Sequence, residues 1–184
     1  MAETYMWKVV QWFLLVLGVL CIAYCGEVSL KGKLGQARGA RELQHQLSST
    51  QSLANGDVLG RLEIPRLSLS TVVFEGADPS VLEVGAGHLP GSALPGSPGN
   101  TVLAAHRDTF FRPLRGIRIG DRITVHETRR DHVYVVNSAR VVQPDDVGVM
   151  KPTAEPSLTL ITCYPFRFIG PAPERFVVRA VLVR

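Results

Sequence analysis

The hydrophobic pattern changes character along the chain. From Val9 to Cys25 the sequence reads VVQWFLLVLGVLCIAYC, with Gln11 its only strongly polar side chain. With Tyr5–Lys8 included it approaches the roughly 20 residues that an α-helix needs to cross a bilayer. Lys8 is placed to snorkel, and Trp7, Trp12 and Tyr24 fall near the interfaces. A cleaved leader would want small residues at its cut site, and Ala23-Tyr24-Cys25 fits poorly. Leu20 before Cys21 and Tyr24 before Cys25 likewise disfavour a lipid-modified cysteine. The pattern predicts an uncleaved N-terminal transmembrane helix over residues 1–26. In residues 27–56, Leu34, Ala37, Ala40, Leu43 and Leu47 recur near helical spacing, but Gly35 and Gly39 weaken the helix. Ser48-Ser49-Thr50-Gln51-Ser52 and Asn55-Gly56-Asp57 then mark a flexible stretch and a turn. This region reads as a juxtamembrane linker.

From Val58 the pattern shifts to short β-like runs separated by turn signals. Strands are predicted at Leu59–Ile64, Leu69–Phe74, Asn100–His106, Arg122–His126, His132–Val142, Ser157–Cys163 and Arg175–Val183. Gly120-Asp121, Pro144-Asp145 and Gly170-Pro171 punctuate them. Asp78-Pro79-Ser80 starts one short helix through Val81–Val84, with Asp78 as cap and Pro79 in the first turn. So many short strands in one domain, residues 57–184, predict a barrel or sandwich.

Composition narrows the picture. Hydrophobic residues are 46% and charged residues 20%, which excludes wholesale disorder. Gly (17) and Pro (12) suit a strand-and-turn domain and would break a helical bundle. The net charge of +4 comes without a basic run interleaved with aromatics, so nucleic acid is not an expected partner. Three cysteines, two of them in the apolar segment, do not make a disulfide framework.

Three segments carry candidate chemistry. Asn100–Asp108 is a strand that ends in His106. Thr159–Phe166 is an apolar strand that ends in Cys163 and is stopped by Pro165. Glu174–Val178 opens the last strand with Arg175. A thiol and an imidazole are the minimum for acyl transfer through a thioester, and a guanidinium supplies fixed donors to a developing oxyanion. The residues alone also allow a core histidine, a core cysteine and a surface arginine. A metal site on Cys163 and His106 lacks the three or four protein ligands that zinc requires, so no metal or cofactor is expected. His45, His126 and His132 have no ligand-like spacing and read as surface.

Thr159-Leu160-Ile161-Thr162-Cys163 resembles the TLxTC signature of the sortases, membrane-anchored cysteine transpeptidases of bacterial surfaces. Gly99-Asn100…Ala105-His106-Arg107 is similar to the family's GN…GHR segment, and Arg175 matches the arginine that opens its last strand. Arg107–Arg115 and Cys163–Phe166…Gly170–Arg175 look like class D sortases. The resemblance runs from about Gly56 to the C-terminus, and departs only in having Ala105 where members often carry Gly. It implies a mainly β fold, a closed eight-stranded sortase-type β-barrel with short helices. Cys163 would be the nucleophile, His106 the acid/base and Arg175 the oxyanion or substrate clamp. Thr162 is a candidate to offer its hydroxyl or backbone N–H to the oxyanion; the resemblance places the loop after His88 near the site, so that His88 either lines it or has a structural or solvent role.

The implied partners are exported proteins with a C-terminal, LPxTG-like sorting motif. The implied acceptor is an amine, from a cell-wall peptide or a pilin-like lysine. The resemblance further implies a single-pass protein of the cell membrane with its catalytic domain outside. Lys31, Lys33, Arg38 and Arg41 after the apolar segment would by charge counting keep the domain inside; the exported substrates argue the other way. The alternatives are a thiol peptidase that releases product to water and a non-catalytic, membrane-tethered β-domain.

Overall fold

The computed structural model describes residues 53–168 and 170–183, together with Trp7, Trp12 and Leu15. Of the predicted anchor only those three positions are described, and the linker lies outside the described residues up to Ser52. Among the described residues no helix is long and apolar enough to cross a membrane.

Alternation of buried and half-exposed positions makes the strands. In β1 (Val58–Ile64) every second residue is buried, which is what one face on a core requires. β2 (Leu69–Glu75), β3 (Ala86–His88), β4 (Asn100–Ala104), β5 (Arg122–His126), β6 (Asp131–Val142), β7 (Ser157–Tyr164) and β8 (Glu174–Leu182) follow. They close into a barrel in the order β1-β2-β3-β4-β7-β8-β6-β5, with β5 pairing back onto β1. The predicted strands are all present. β3 is the one they omit: Ala-Gly-His has no β-forming pattern of its own. Two glycines admit it. A Cβ on Gly87 would collide with the carbonyl of Gly76, and one on Gly85 would meet the Phe74 ring and the Val72 carbonyl.

Two pairings are parallel, β2 with β3 and β4 with β7, and each needs a connection that carries the chain back along the barrel. Between β2 and β3 that connection holds α1 (Pro79–Leu82). Asp78 caps it, its side chain accepting from the amides of Ser80 and Val81, with Pro79 in the first turn. Between β6 and β7 it is a long crossover with a 3-10 turn at Val147–Met150.

The barrel is filled by Leu62, Ile64, Leu103, Phe111, Leu114, Ile123, Val125, Leu158, Leu160, Val178 and their neighbours. Tyr134 is fully buried among them. Its hydroxyl accepts from the Gly96 amide at 2.8 Å, and burial pushes the phenol pKa up. His132, expected at the surface, is instead buried with its Nε2 3.0 Å from Glu127 Oε2. The tight turn at Gly96 packs directly on its ring. His126 is half-buried between Asp131 and Glu63, and His45 lies outside the described residues.

One ion pair ties the β1–β2 turn to the segment before β5. Arg66 Nε and Nη2 each donate to Asp121 at 2.5 Å, and Nη2 also donates to the Gly116 carbonyl. The guanidinium, helped by the Arg118 amide, holds the Asp121 carboxyl below the usual carboxylate range. A depressed carboxylate pKa contributes stability that is complete above the unfolded value of about 3.9 and is lost as pH falls through the folded value. Asp121→Asn is therefore expected to lower Tm by a few degrees at neutral pH. The gap from wild type should close as pH drops below about 4, followed by thermal melts across pH.

Candidate active site

Register places three side chains side by side. β7 sends Leu158 and Leu160 into the core, so alternation turns Thr159, Ile161 and Cys163 to the outer face. In the antiparallel β7·β8 pair Cys163 lies opposite Arg175. In the parallel β4·β7 pair Ala104 lies opposite Ile161. The pairing runs on past that point: the Ala105 amide donates to the Ile161 carbonyl at 3.3 Å, and Thr162 Oγ1 donates to the Ala105 carbonyl at 2.7 Å. Continuing the register two residues sets His106 beside Cys163. An imidazole, a thiol and a guanidinium thus form one row across β4, β7 and β8, on strands about 4.8 Å apart. His106 is exposed, and Cys163 and Arg175 are half-buried. Cys163 is a free thiol.

Each member of the row is fixed from behind. After His106 the chain turns so that the Phe111 amide donates to the His106 carbonyl at 3.0 Å. Phe111 and Leu114 are fully buried and plug that end of the barrel. Below Cys163 and Arg175, Phe176 stacks on Tyr164 and meets Phe166 edge-on, with ring centroids 6.3 and 5.3 Å away. Arg175 Nη1 donates to the carbonyls of Ala172 and Glu174, at 3.2 and 3.0 Å. Beneath the row lies a second, apolar one: Ala104, Ile161 and Val177.

Two supporting residues, Asn100 and Arg107, lie in the matched histidine motif but have no role assigned from sequence. Asn100 is buried where the crossover returns to the sheet. Its Nδ2 donates to the carbonyls of Val149 and Lys151, and its Oδ1 accepts from Ser157 Oγ and Thr159 Oγ1. It therefore binds β4, β7 and the crossover to each other. The signal was its place after Gly99 at the start of the histidine strand. Arg107 Nη2 donates to the carbonyls of Phe168 and Gly170, with the guanidinium 5.7 Å from the centre of the Phe168 ring. It ties the turn after His106 to the loop that joins Cys163 to Arg175.

The other two candidates lie off the row. The Thr162 hydroxyl is buried and committed to the Ala105 carbonyl. His88 is 2% exposed and pairs with Leu103, not with the end of β4. Its Nδ1 is 2.6 Å from Glu75 Oε2, and its Nε2 is 2.8 Å from Ser92 Oγ and 3.1 Å from the Ala93 carbonyl. The loop that follows borders a cleft of about 410 Å3 with Met150 and Pro152. That cleft lies at the start of β4, the end remote from His106. Among the described residues no three His, Cys, Asp or Glu side chains come together as a metal site.

The Sortase domain family matches residues 62–183, two-thirds of the chain, and includes the whole row. The chain belongs to the sortase family. Sortase D of Bacillus subtilis (strain 168) is 30% identical to it over 93% of this chain and 96% of its own length. Sortase A of Bacillus anthracis is 29% identical over 72% of this chain and 63% of its own. The solved structure of a Clostridium perfringens Sortase D5 transpeptidase superposes with a TM-score of 0.72 at 25% identity, covering 83% of this chain and 98% of that one. Sortase C of Clostridium perfringens SM101 gives 0.66 at 27% identity, over 88% and 97%. The expected closed eight-stranded barrel and the class D likeness are both borne out. This sortase is a cysteine transpeptidase, of a family that acts on proteins bearing sorting motifs.

The hydroxyl under the row gives a test of how tightly the site is held. Thr162→Val keeps the shape and strands the buried Ala105 carbonyl without its donor. We expect a loss of about 1–3 kcal/mol in unfolding free energy, measured by denaturant titration.

Proposed function

We propose that this sortase uses Cys163 as nucleophile, His106 as general acid and base, and Arg175 as the clamp on substrate and oxyanion. It cuts exported proteins at an LPxTG-like motif and hands them to an amine. The observation that carries this reading is the single outer-face row of the three side chains on adjacent strands. The Cys163 thiolate attacks the carbonyl carbon of the motif's threonine. The negative charge that develops on the carbonyl oxygen is met by N–H groups of Arg175. That guanidinium spends only Nη1 on partners among the described residues. The imidazolium of His106 gives its proton to the departing amine, and a thioester remains on Cys163. An incoming amine attacks the thioester and loses its proton to His106, which restores the thiolate.

The same reading gives residues 1–26 as the membrane anchor and residues 27–56 as the linker. It puts the domain from residue 57 to 184 outside the membrane, where exported proteins and a cell-wall or pilin-like amine meet it. The apolar run from Val9 to Cys25 supports the anchor.

Cys163→Ala is expected to abolish the covalent adduct with an LPxTG peptide, read by intact mass; an adduct that persists removes Cys163 from the mechanism. Arg175→Lys keeps the charge and loses the planar fork, and is expected to lower kcat by about 10²–10³-fold. Wild-type turnover in that variant would reduce Arg175 to scaffold.

A further inference from the structure

The outer face carries more positive charge than the row requires. Beyond β8, β6 lies antiparallel with Val142 opposite Arg175, Arg140 opposite Val177 and Ser138 opposite Arg179. These partners share the face of Cys163. Arg140 is therefore the diagonal neighbour of both Arg175 and Arg179. Like charges placed diagonally on a sheet lie about 7–8 Å apart and repel unless something negative sits among them, and a guanidinium cannot shed its proton. No carboxylate among the described residues lies within ion-pair distance of these three arginines. Of the crossover acids, Asp146 is turned to cap the Gly148 amide.

Two of these arginines, Arg140 and Arg179, line a cavity. Ser138, Arg140, Val149, Val177 and Arg179 line a pocket of about 210 Å3 between the sheet and the crossover. Arg179 is half-buried and held, its Nη2 donating to the Val149 carbonyl at 3.0 Å and its Nε reaching Thr159 Oγ1 at 3.5 Å. Arg140 is exposed, with no hydrogen-bond partner among the described residues. Val177 and Val149 are buried walls, and an apolar wall strengthens an ion pair beside it.

We propose that this pocket binds a carboxylate carried by one of the two molecules that this sortase joins. Guanidinium forks suit that group in geometry and charge. The four residues from Arg175 to Arg179 span about 13 Å along β8. An extended peptide reacting at Cys163 would therefore bring an acidic side chain to the pocket from about four to five residues away. The carboxylate belongs either to the residue just before the sorting motif or to the amine acceptor. The assignment rests on the row at Cys163 being the reaction centre.

The full-length protein separates the two sources. Peptides with Glu or Gln immediately before LPxTG are compared in thioester formation, and the amidated peptides Gly-Gly-Gly-Gly-Glu and Gly-Gly-Gly-Gly-Gln, whose side chains can reach that far, are compared as acceptors in the second step. One pair is expected to differ by about five- to tenfold in KM, with kcat unchanged. Arg140→Gln should bring that ratio near one, and Arg140→Glu should reverse it. A peptide effect assigns the sorted protein, and an acceptor effect assigns the amine. Equal KM within both pairs, or a preference that survives Arg140→Gln, overturns the proposal.

A second readout needs no turnover, so failure of the mechanism and failure of the pocket are distinguishable. Glutarate is expected to shift the amide resonances of Ser138, Val149 and Val177 in the wild type and not in Arg140→Gln. Absence of those shifts in the wild type also overturns the proposal.

Discussion

The site depends on one parallel pairing, β4 against β7. These strands are neighbours in the barrel although β5, β6 and the crossover separate them in the chain. A one-residue slip would turn His106 or Cys163 into the barrel and a Leu out of it, so the apolar core itself fixes the register. Polar bonds hold both ends of the pairing. At one end Asn100 joins β4, β7 and the crossover through four hydrogen bonds. At the other, Thr162 Oγ1 bonds the Ala105 carbonyl. Between them Leu103, Leu158 and Leu160 are fully buried, at about 25 cal/mol per Å2 of apolar surface removed from water.

That pairing makes the outer face a lattice of rows. The row of His106, Cys163 and Arg175 lies at the end where β4 and β7 stop and β8 begins, so three rigid strands present groups to a region of loops. The apolar row of Ala104, Ile161 and Val177 gives an extended chain a floor beside it. Packed side chains lie just behind the row. Phe111 and Leu114 hold the turn that follows His106, and an aromatic cluster backs Cys163 and Arg175.

Charge is handled in two ways. Buried ionisable groups are paired: Asp121 with the exposed Arg66, Glu75 with His88, and His132 with the half-buried Glu127. On the face that carries Cys163, the arginines of β6 and β8 have no such partners among the described residues. The first arrangement satisfies groups that would be costly to bury alone. The second leaves positive charge open to a bound molecule.

Seven of the eight strands and the cap of α1 are written in local sequence, because alternation and turn residues act over a few positions. The thiol, imidazole and guanidinium stand out in sequence as candidates too, since each lies at or within two residues of a strand end in a motif that matches a family. β3 does not, because Ala86-Gly87-His88 becomes a strand only through the neighbours that its glycines admit. His132 read as polar surface, yet folding buries it beneath the turn at Gly96 and supplies Glu127 as its partner. The gathering of Arg140, Arg175 and Arg179 on one face was equally hidden. It follows from the pairing of β6 with β8 across the whole crossover, a long-range contact that no local pattern encodes. Local periodicity thus determined what each segment is, and closure of the barrel decided which side chains meet.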